Sequence, residues 1–410
     1  MNTAFVATVG KGDLADIRPA LVKSISETNP SFLLLFATNE TKTNANDICQ
    51  TLNRTEIDSR VHVLAQPKED VEALFKEMLD TVTMMMREQS IEPGNVTADF
   101  TTGMKSMSAA LVLATVKLGL GRLKYIVAGR DGQGKICPGG ERTLTFEPAG
   151  FRASLLLDSA VTLMRQYRFD AVQQLLTGMP EHLLSDTEKA SRTCLLCLAR
   201  GYSHWDLFCH THFQGEYNKA RFGGDPGLVQ FKAQPETVRA VLELGKALEA
   251  GRLTDLAVVD LINNARRRIE EGKHDDATAR LYRACEMLAQ WRLASAYDVI
   301  SGNVDLSKVP DGSKHWLETC RGPKGDVQIG LRKIYQLLDE MQDPLGKLFV
   351  AKKDLPAVLR DRNESILAHG TKPVEPAACS KLLDLVESLA GGAIADYESK
   401  SALLRFPWSR

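Results

Sequence analysis

Val96-Thr97-Ala98-Asp99-Phe100-Thr101-Thr102-Gly103-Met104-Lys105-Ser106-Met107 decides the fold. A short β-rich run closes on Asp99-Phe100, and small hydroxylic residues and Gly103 follow. Met104, Met107, Leu111 and Ala114 then recur at helical spacing. The pattern predicts a strand over 96–100 running directly into a helix over 104–118, with those four apolar residues in its core.

The same alternation extends on both sides. Strands are expected at 4–9, 32–37, 61–64 and 124–128, with a later hairpin pairing the region of Ile136 with 142–146 across Gly139-Gly140. Helices are expected between them at 14–28, 43–53 and 70–89. The unbroken apolar run Phe32-Leu33-Leu34-Leu35-Phe36 suits a strand covered on both faces, hence a mostly parallel, Rossmann-like α/β sheet. Such sheets bind ligands beyond the carboxyl ends of their strands. Those ends carry Thr8, Gly10 and Lys11, then Thr38 and Asn39, then Asp99, Thr101, Thr102, Gly103 and Lys105, and finally Arg130.

Backbone amides at helix starts, with cations nearby, make a surface for phosphate. Lys105 adds to this reading. A cation in a first helical turn is disfavoured by the helix dipole, and an anionic ligand relieves that cost. The plainer reading of Asp99 is a strand end, and that of Thr101 or Thr102 an N-cap. The chain has neither G-x-G-x-x-G nor G-x-x-x-x-G-K-[ST], which argues against a dinucleotide cofactor or a P-loop nucleotide.

The run from Asp99 to Met107 resembles the strand-to-helix signature of CARF domains, the Rossmann-like sensors of CRISPR systems, with Thr102-Gly103-Met104 where many members have Gly-Gly-Thr. The resemblance implies that the loops named above bind a cyclic oligoadenylate at a dimer interface.

A chain of 410 residues exceeds one ordinary core, and we expect three parts: a sensor over 1–150, a helical connector over 151–252 and a helical effector over 253–410. The net charge of -1 offers no global field for nucleic acid, so an RNA site has to be a local patch or cleft. The N-terminus lacks a basic region before an apolar core, no apolar run is long enough to span a bilayer, and the scattered cysteines suit a reducing compartment. A cytoplasmic protein is expected.

Connector helices are expected at 153–167, 169–177, 187–209 and 235–250, with a loop at 215–226 as the least structured part. Cys194, Cys197, Cys209, His210 and His212 invite a zinc hypothesis, but the Cys-x-x-Cys pair lies within an amphipathic helix and no second pair follows. Buried thiols and a polar helix end are the expectation, with Trp205 and Phe208 as packing anchors.

Effector helices are expected at 256–271, 275–293, 327–340, 345–349, 355–369 and 376–403. Ala277, Leu281, Ala284, Cys285 and Leu288 form a buried stripe, and Arg280, Arg283, Glu286 and Arg292 read as a solvated face. Within the fifth helix stands Arg362-Asn363-Glu364-Ser365-Ile366-Leu367-Ala368-His369-Gly370. Seven residues at 100° each return Arg362 and His369 to nearly one face, about 10 Å apart along the axis. An imidazole to move a proton and a guanidinium to hold phosphate charge are the parts of metal-free phosphodiester cleavage. A second spacing match, Arg267 and Arg268 before His274, is interrupted by Gly272, which takes His274 off the face carrying the arginines. The plainer reading of the first match is Arg362 paired with Asp361 or Glu364, and His369 at a helix C-terminus.

The first match is similar to the ribonuclease motif of the HEPN superfamily. Together with 275–284, it makes the C-terminal part resemble the Cas02710-like subfamily of CARF-HEPN proteins. The resemblance implies a homodimer in which Arg362, Asn363 and His369 cleave single-stranded RNA without a metal or other cofactor, leaving a 2′,3′-cyclic phosphate. It also implies an allosteric activator, cyclic tetra- or hexa-adenylate, of type III CRISPR antiviral defence. Two other classes compete: a ring-binding regulatory protein with an inert helical domain, and a small-molecule enzyme on the α/β domain, which the missing glycine fingerprint disfavours.

Overall fold

The computed structural model describes residues 2–11, 14–52, 57–65, 69–127, 142–179, 181, 184–223, 225–352, 367 and 370–409. The chain divides into two compact units, one of residues 1–158 and 179–189, the other of 159–178 and 190–410.

The first unit alternates as expected: β1 (Ala4–Thr8), α1 (Leu14–Thr28), β2 (Phe32–Ala37), α2 (Lys42–Thr51), β3 (Asp58–Val63), α3 (Val71–Glu88), β4 (Val96–Asp99), α4 (Lys105–Leu118), β5 (Arg122–Val127) and β6 (Arg142–Phe146). The sheet order is β3-β2-β1-β4-β5-β6, parallel except for β6, which runs antiparallel to β5. This is the doubly wound order, with its topological switch point between β1 and β4. Each central strand feeds two cores. Val6, Leu34, Phe36 and Ala98 face α3 and α4, while Phe5, Ala7, Leu33 and Leu35 face α1 and α2. That double burial is why β1 and β2 read as unbroken apolar runs.

β3 begins at Asp58 rather than at 61, because its edge position leaves Asp58, Ser59 and Arg60 exposed and so without an apolar signal. Met104 is exposed rather than core: it is the N-cap of α4, which starts at Lys105. Thr101 and Thr102 are therefore not the cap. The strand expected near Ile136 lies outside the described residues, and β6 takes β5 as its antiparallel partner.

α5 (Ala149–Arg165) follows β6, and α6 (Phe169–Thr177), α7 (Asp186–Asp206), α8 (His210–Tyr217), α9 (Pro226–Val229) and α10 (Pro235–Glu249) come next. The stretch expected as loop is thus partly helical, with Asp225 capping α9 through the Gly227 amide at 2.9 Å. In the second unit, Tyr202, Trp205, Phe213, Phe406 and Phe231 are buried in one aromatic core with Trp408 against it. Cys194 and Cys197 are buried thiols, and burial pushes the Cys194 thiol up to about 11. His210 is a correction. It does not sit at a polar helix end but is buried on Asp260 at 2.8 Å, whose other oxygen accepts from Trp205 Nε1 at 2.9 Å.

The remaining elements are α11 (Asp255–Glu270), α12 (His274–Tyr297), α13 (Asp311–Glu318), α14 (Leu331–Glu340), α15 (Pro344–Ala351), α16 (Pro376–Ala393) and α17 (Tyr397–Leu403). The stripe of Ala277, Leu281, Ala284, Cys285 and Leu288 is fully buried. The arginine face of α12 is only partly solvated, because Arg292 pairs with fully buried Asp343 at 2.8 Å and Arg280 with Asp276 at 3.3 Å. The single helix expected over 376–403 is two, separated where Asp396 adopts a left-handed conformation. α13 was not expected.

Candidate functional site

The switch point is closed by a pair of reciprocal hydrogen bonds. Thr8 Oγ1 donates to the Thr102 carbonyl, and Thr102 Oγ1 donates to the Thr8 carbonyl at 2.5 Å. Beneath them two glycines meet backbone to backbone. A Cβ on Gly10 would fall 2.7 Å from Gly103 N, and a Cβ on Gly103, where φ is +110°, would fall 2.7 Å from Thr8 Oγ1. No other residue type fits either place without displacing the loops.

Asp99 does not point outward. It is fully buried, with Oδ2 accepting from Ser24 Oγ at 2.6 Å and Oδ1 from the Thr101 amide at 2.8 Å. Thr101 Oγ1 in turn accepts from the Ile126 amide at 2.9 Å, which fixes the loop to β5. Past this braced turn α4 begins on Met104 with no side-chain cap and no acidic residue in its first turn, and Lys105 is exposed there. Amide donors, a helix dipole and a cation converge at this end.

The other sequence-predicted residues flank that place. Lys11 is exposed and pairs with Glu40 at 3.3 Å, bringing the ends of β1 and β2 together. Thr38 is buried in its own turn, its amide donating to Thr41 Oγ1 at 2.9 Å, and Asn39 is exposed beside it. Asn44, which the sequence did not single out, donates to the Gly10 carbonyl at 3.4 Å. Arg130, Arg362, Asn363 and His369 lie outside the described residues.

Arg267 and Arg268, the weaker match, are structural. Both are buried on Asp206, at 2.8 and 2.7 Å, and the Arg267 guanidinium stacks 3.9 Å from the Phe406 ring centroid. Gly272, with φ +73°, ends the turn between α11 and α12. Among the described residues no three His, Cys, Asp or Glu side chains gather as metal ligands, and no helix is long and apolar enough to cross a membrane.

These features define a class: a doubly wound α/β unit with a braced glycine turn and an uncapped helix start at its switch point, followed by a helical unit. Residues 251–392 match the family model of the Csm6 HEPN domain. Among solved structures the chain is similar to Enterococcus italicus Csm6 bound to cyclic hexa-2′-fluoro-hexa-dAMP. The two share 12% identity and a TM-score of 0.61, over 98% of this chain and 100% of that one, which establishes a common fold. Can2 from Sulfobacillus thermosulfidooxidans in complex with cyclic tetra-adenylate also matches, at 13% identity over 52% of this chain and 68% of that one. Its TM-score of 0.23 gives it no weight here. No curated protein matches the chain in sequence. The resemblance to CARF-HEPN proteins is borne out by the domain match and the shared fold.

Proposed function

We propose that this protein is a metal-independent, single-stranded RNA endoribonuclease of type III CRISPR antiviral defence, switched on by cyclic oligoadenylate. The observation that carries the reading is the Csm6 HEPN match over 251–392 within a chain that shares the fold of a ring-bound Csm6 over nearly its whole length. We assign the sensor to 1–150, the connector to 151–252 and the effector to 253–410, in the cytoplasm.

The activator, cyclic tetra- or hexa-adenylate, lies across the ends of β1, β2 and β4. Its phosphates take the first-turn amides of α4 and Lys105, with Lys11, Asn39 and Arg130 around them. Thr8, Gly10, Thr102 and Gly103 form the floor, and Asp99, Thr101 and Thr38 hold the loops rather than the ligand. A two-fold partner doubles this surface. Tyr125, Leu144 and Phe146 stand exposed on the side of the sheet that α4 covers, in register across β5 and β6, and Met104 and Leu113 of α4 are exposed as well. An apolar strip of this kind suits a homodimer contact.

In the effector, two chains contribute Arg362 and His369 to one cleft. The ribose 2′-OH loses its proton and attacks the adjacent phosphorus, and the 5′-oxygen leaves and takes up a proton, with His369 as base or acid. Arg362 holds the charge of the phosphorane, and Asn363 orients the imidazole or a phosphate oxygen. The products are a 2′,3′-cyclic phosphate and a 5′-hydroxyl, and DNA, lacking the 2′-OH, is not cut.

The test is cleavage of a fluorogenic single-stranded RNA in EDTA, with and without cyclic tetra- and hexa-adenylate, beside His369→Ala. Cleavage that requires one ring, persists in EDTA and disappears in the variant is expected. Ring binding without any cleavage would replace the nuclease by a regulatory ring-binding protein.

A further inference from the structure

The ligand-facing loop of the first unit is wired to its last strand by a polar chain that is buried at Asp99, Ser24 and Lys124 and reaches the surface at Glu27 and Thr143. Asp99 and Lys124 are register partners on β4 and β5, on the side of the sheet that packs against α1. Both are buried, a carboxylate and an ammonium in an otherwise apolar layer. Neither is left to water: α1 supplies partners to each. Ser24 Oγ donates to Asp99 Oδ2 at 2.6 Å, while Lys124 Nζ donates to Thr28 Oγ1 at 2.8 Å and approaches the Ser24 carbonyl at 3.4 Å. Thr28 Oγ1 closes the turn by donating to the same Ser24 carbonyl at 2.9 Å.

The chain continues outward at both ends. On one side Asp99 Oδ1 holds the Thr101 amide, at the root of the loop that leads to Lys105. On the other, Lys124 Nζ lies 3.8 Å from Glu27, and Glu27 accepts from Thr143 Oγ1 of β6 at 3.3 Å. β6 ends at Phe146, and α5 starts at Ala149 and carries the chain out of the first unit.

We propose that this chain of groups, from Thr101 through Asp99, Ser24, Lys124 and Glu27 to Thr143, couples occupancy of the loop at 100–106 to β6 and the start of α5. The inference rests on the reading that this loop receives a cyclic oligoadenylate. Its physical basis is that the buried part of the network, Asp99, Ser24 and Lys124, has discrete hydrogen-bonded arrangements, which Glu27 carries to the surface. A shift of the Thr101 amide toward a phosphate alters the bond to Asp99, and α1 transmits that change because Ser24, Glu27 and Thr28 are rigidly spaced on one helix. Ser24 and Glu27 are positioning residues in this account and touch no ligand.

The test uses the full chain and separates binding from transmission. Fluorescence anisotropy with labelled cyclic tetra- and hexa-adenylate measures ring affinity. Amide hydrogen exchange over 142–158, with and without the bound ring, measures the response at the far end. In the parent chain the ring is expected to slow exchange there at least fivefold. Glu27→Gln and Thr143→Val lie toward the surface, so the fold is kept. Each is expected to bind the ring within twofold of the parent and to lose most of the exchange response. Ser24→Ala, at the near end, is expected to weaken ring binding about tenfold as well. An undiminished exchange response in both outer variants would overturn the coupling, as would a parent chain that binds a ring without responding over 142–158. A parent chain that binds no ring would instead remove the sensor reading on which the proposal stands.

Discussion

Replacing Gly103 by alanine tests the account of the switch point where its geometry is tightest. Two costs combine. At φ +110° an L-residue lies outside even the left-handed helical region, a strain of roughly 1–3 kcal/mol. The new methyl also falls 2.7 Å from Thr8 Oγ1 and 2.9 Å from Thr8 Cβ. Thr8 cannot rotate aside, being fully buried, β-branched and hydrogen-bonded to the Thr102 carbonyl. Overpacking of this sort costs about 1–3 kcal/mol more. The sum, roughly 2–6 kcal/mol, is a large part of the stability of a domain.

The chain supplies its own reference signal. All four tryptophans, Trp205, Trp291, Trp316 and Trp408, belong to the second unit. In urea, far-UV circular dichroism reports both units and tryptophan fluorescence reports the second. Gly103→Ala is expected to move part of the dichroism transition to lower urea, by about 1–3 M at a slope of about 2 kcal/mol/M. A dichroism curve superimposable on the parent's would refute the close-approach argument.

Other expectations concern separate places. Asp206→Ala leaves the buried Arg267 and Arg268 without their shared carboxylate, and a loss of about 3–5 kcal/mol is expected in the tryptophan-detected transition. Lys105→Ala should weaken ring binding tenfold or more at low salt and reduce its salt dependence, read by anisotropy at two ionic strengths. The Tyr167 hydroxyl is pushed up to about 12, chiefly by burial and then by its bond to Glu270. Its folded form therefore holds the proton more tightly than the unfolded form, and the stabilisation, intact below pH 10, is lost as pH rises from about 10 to 12. Tyr167→Phe should flatten the decline of the tryptophan-detected midpoint over that window, and an unchanged slope would count against the assignment.

The alternation of the first unit could be read from the chain because strands buried on both faces write themselves as apolar runs, as in 32–37. Edge strands do not, which is why the apolar pattern places β3 three residues late. Of the candidate site, the pattern places the glycine turn at Gly103 and the exposed Lys105 at the start of α4, where they stand, whereas Asp99 reads as an outward-facing strand end and is a buried brace. Ser24, which makes it one, is visible only as a hydroxyl on the apolar stripe of α1 between Leu21 and Ile25. His210 reads as a polar helix end for a related reason: its partner Asp260 lies fifty residues on, and no local spacing reveals it. The break between α16 and α17 rests on Ile394 in extended and Asp396 in left-handed conformation, which helical periodicity passes over.

The clamp on Asp206 sets where this protein can be cut. The family match begins at residue 251 and ends at 392, yet Asp206 precedes it, and Phe406, on which Arg267 lies, follows it. A fragment trimmed to the matched segment would keep two neighbouring buried guanidiniums and discard the Asp206 carboxylate they share and the Phe406 ring under Arg267, leaving Arg268 only Glu271. Anyone preparing the helical unit alone should therefore retain α7 and the last turn of chain through Trp408. The boundary of recognisable ancestry and the boundary of a soluble piece are not the same.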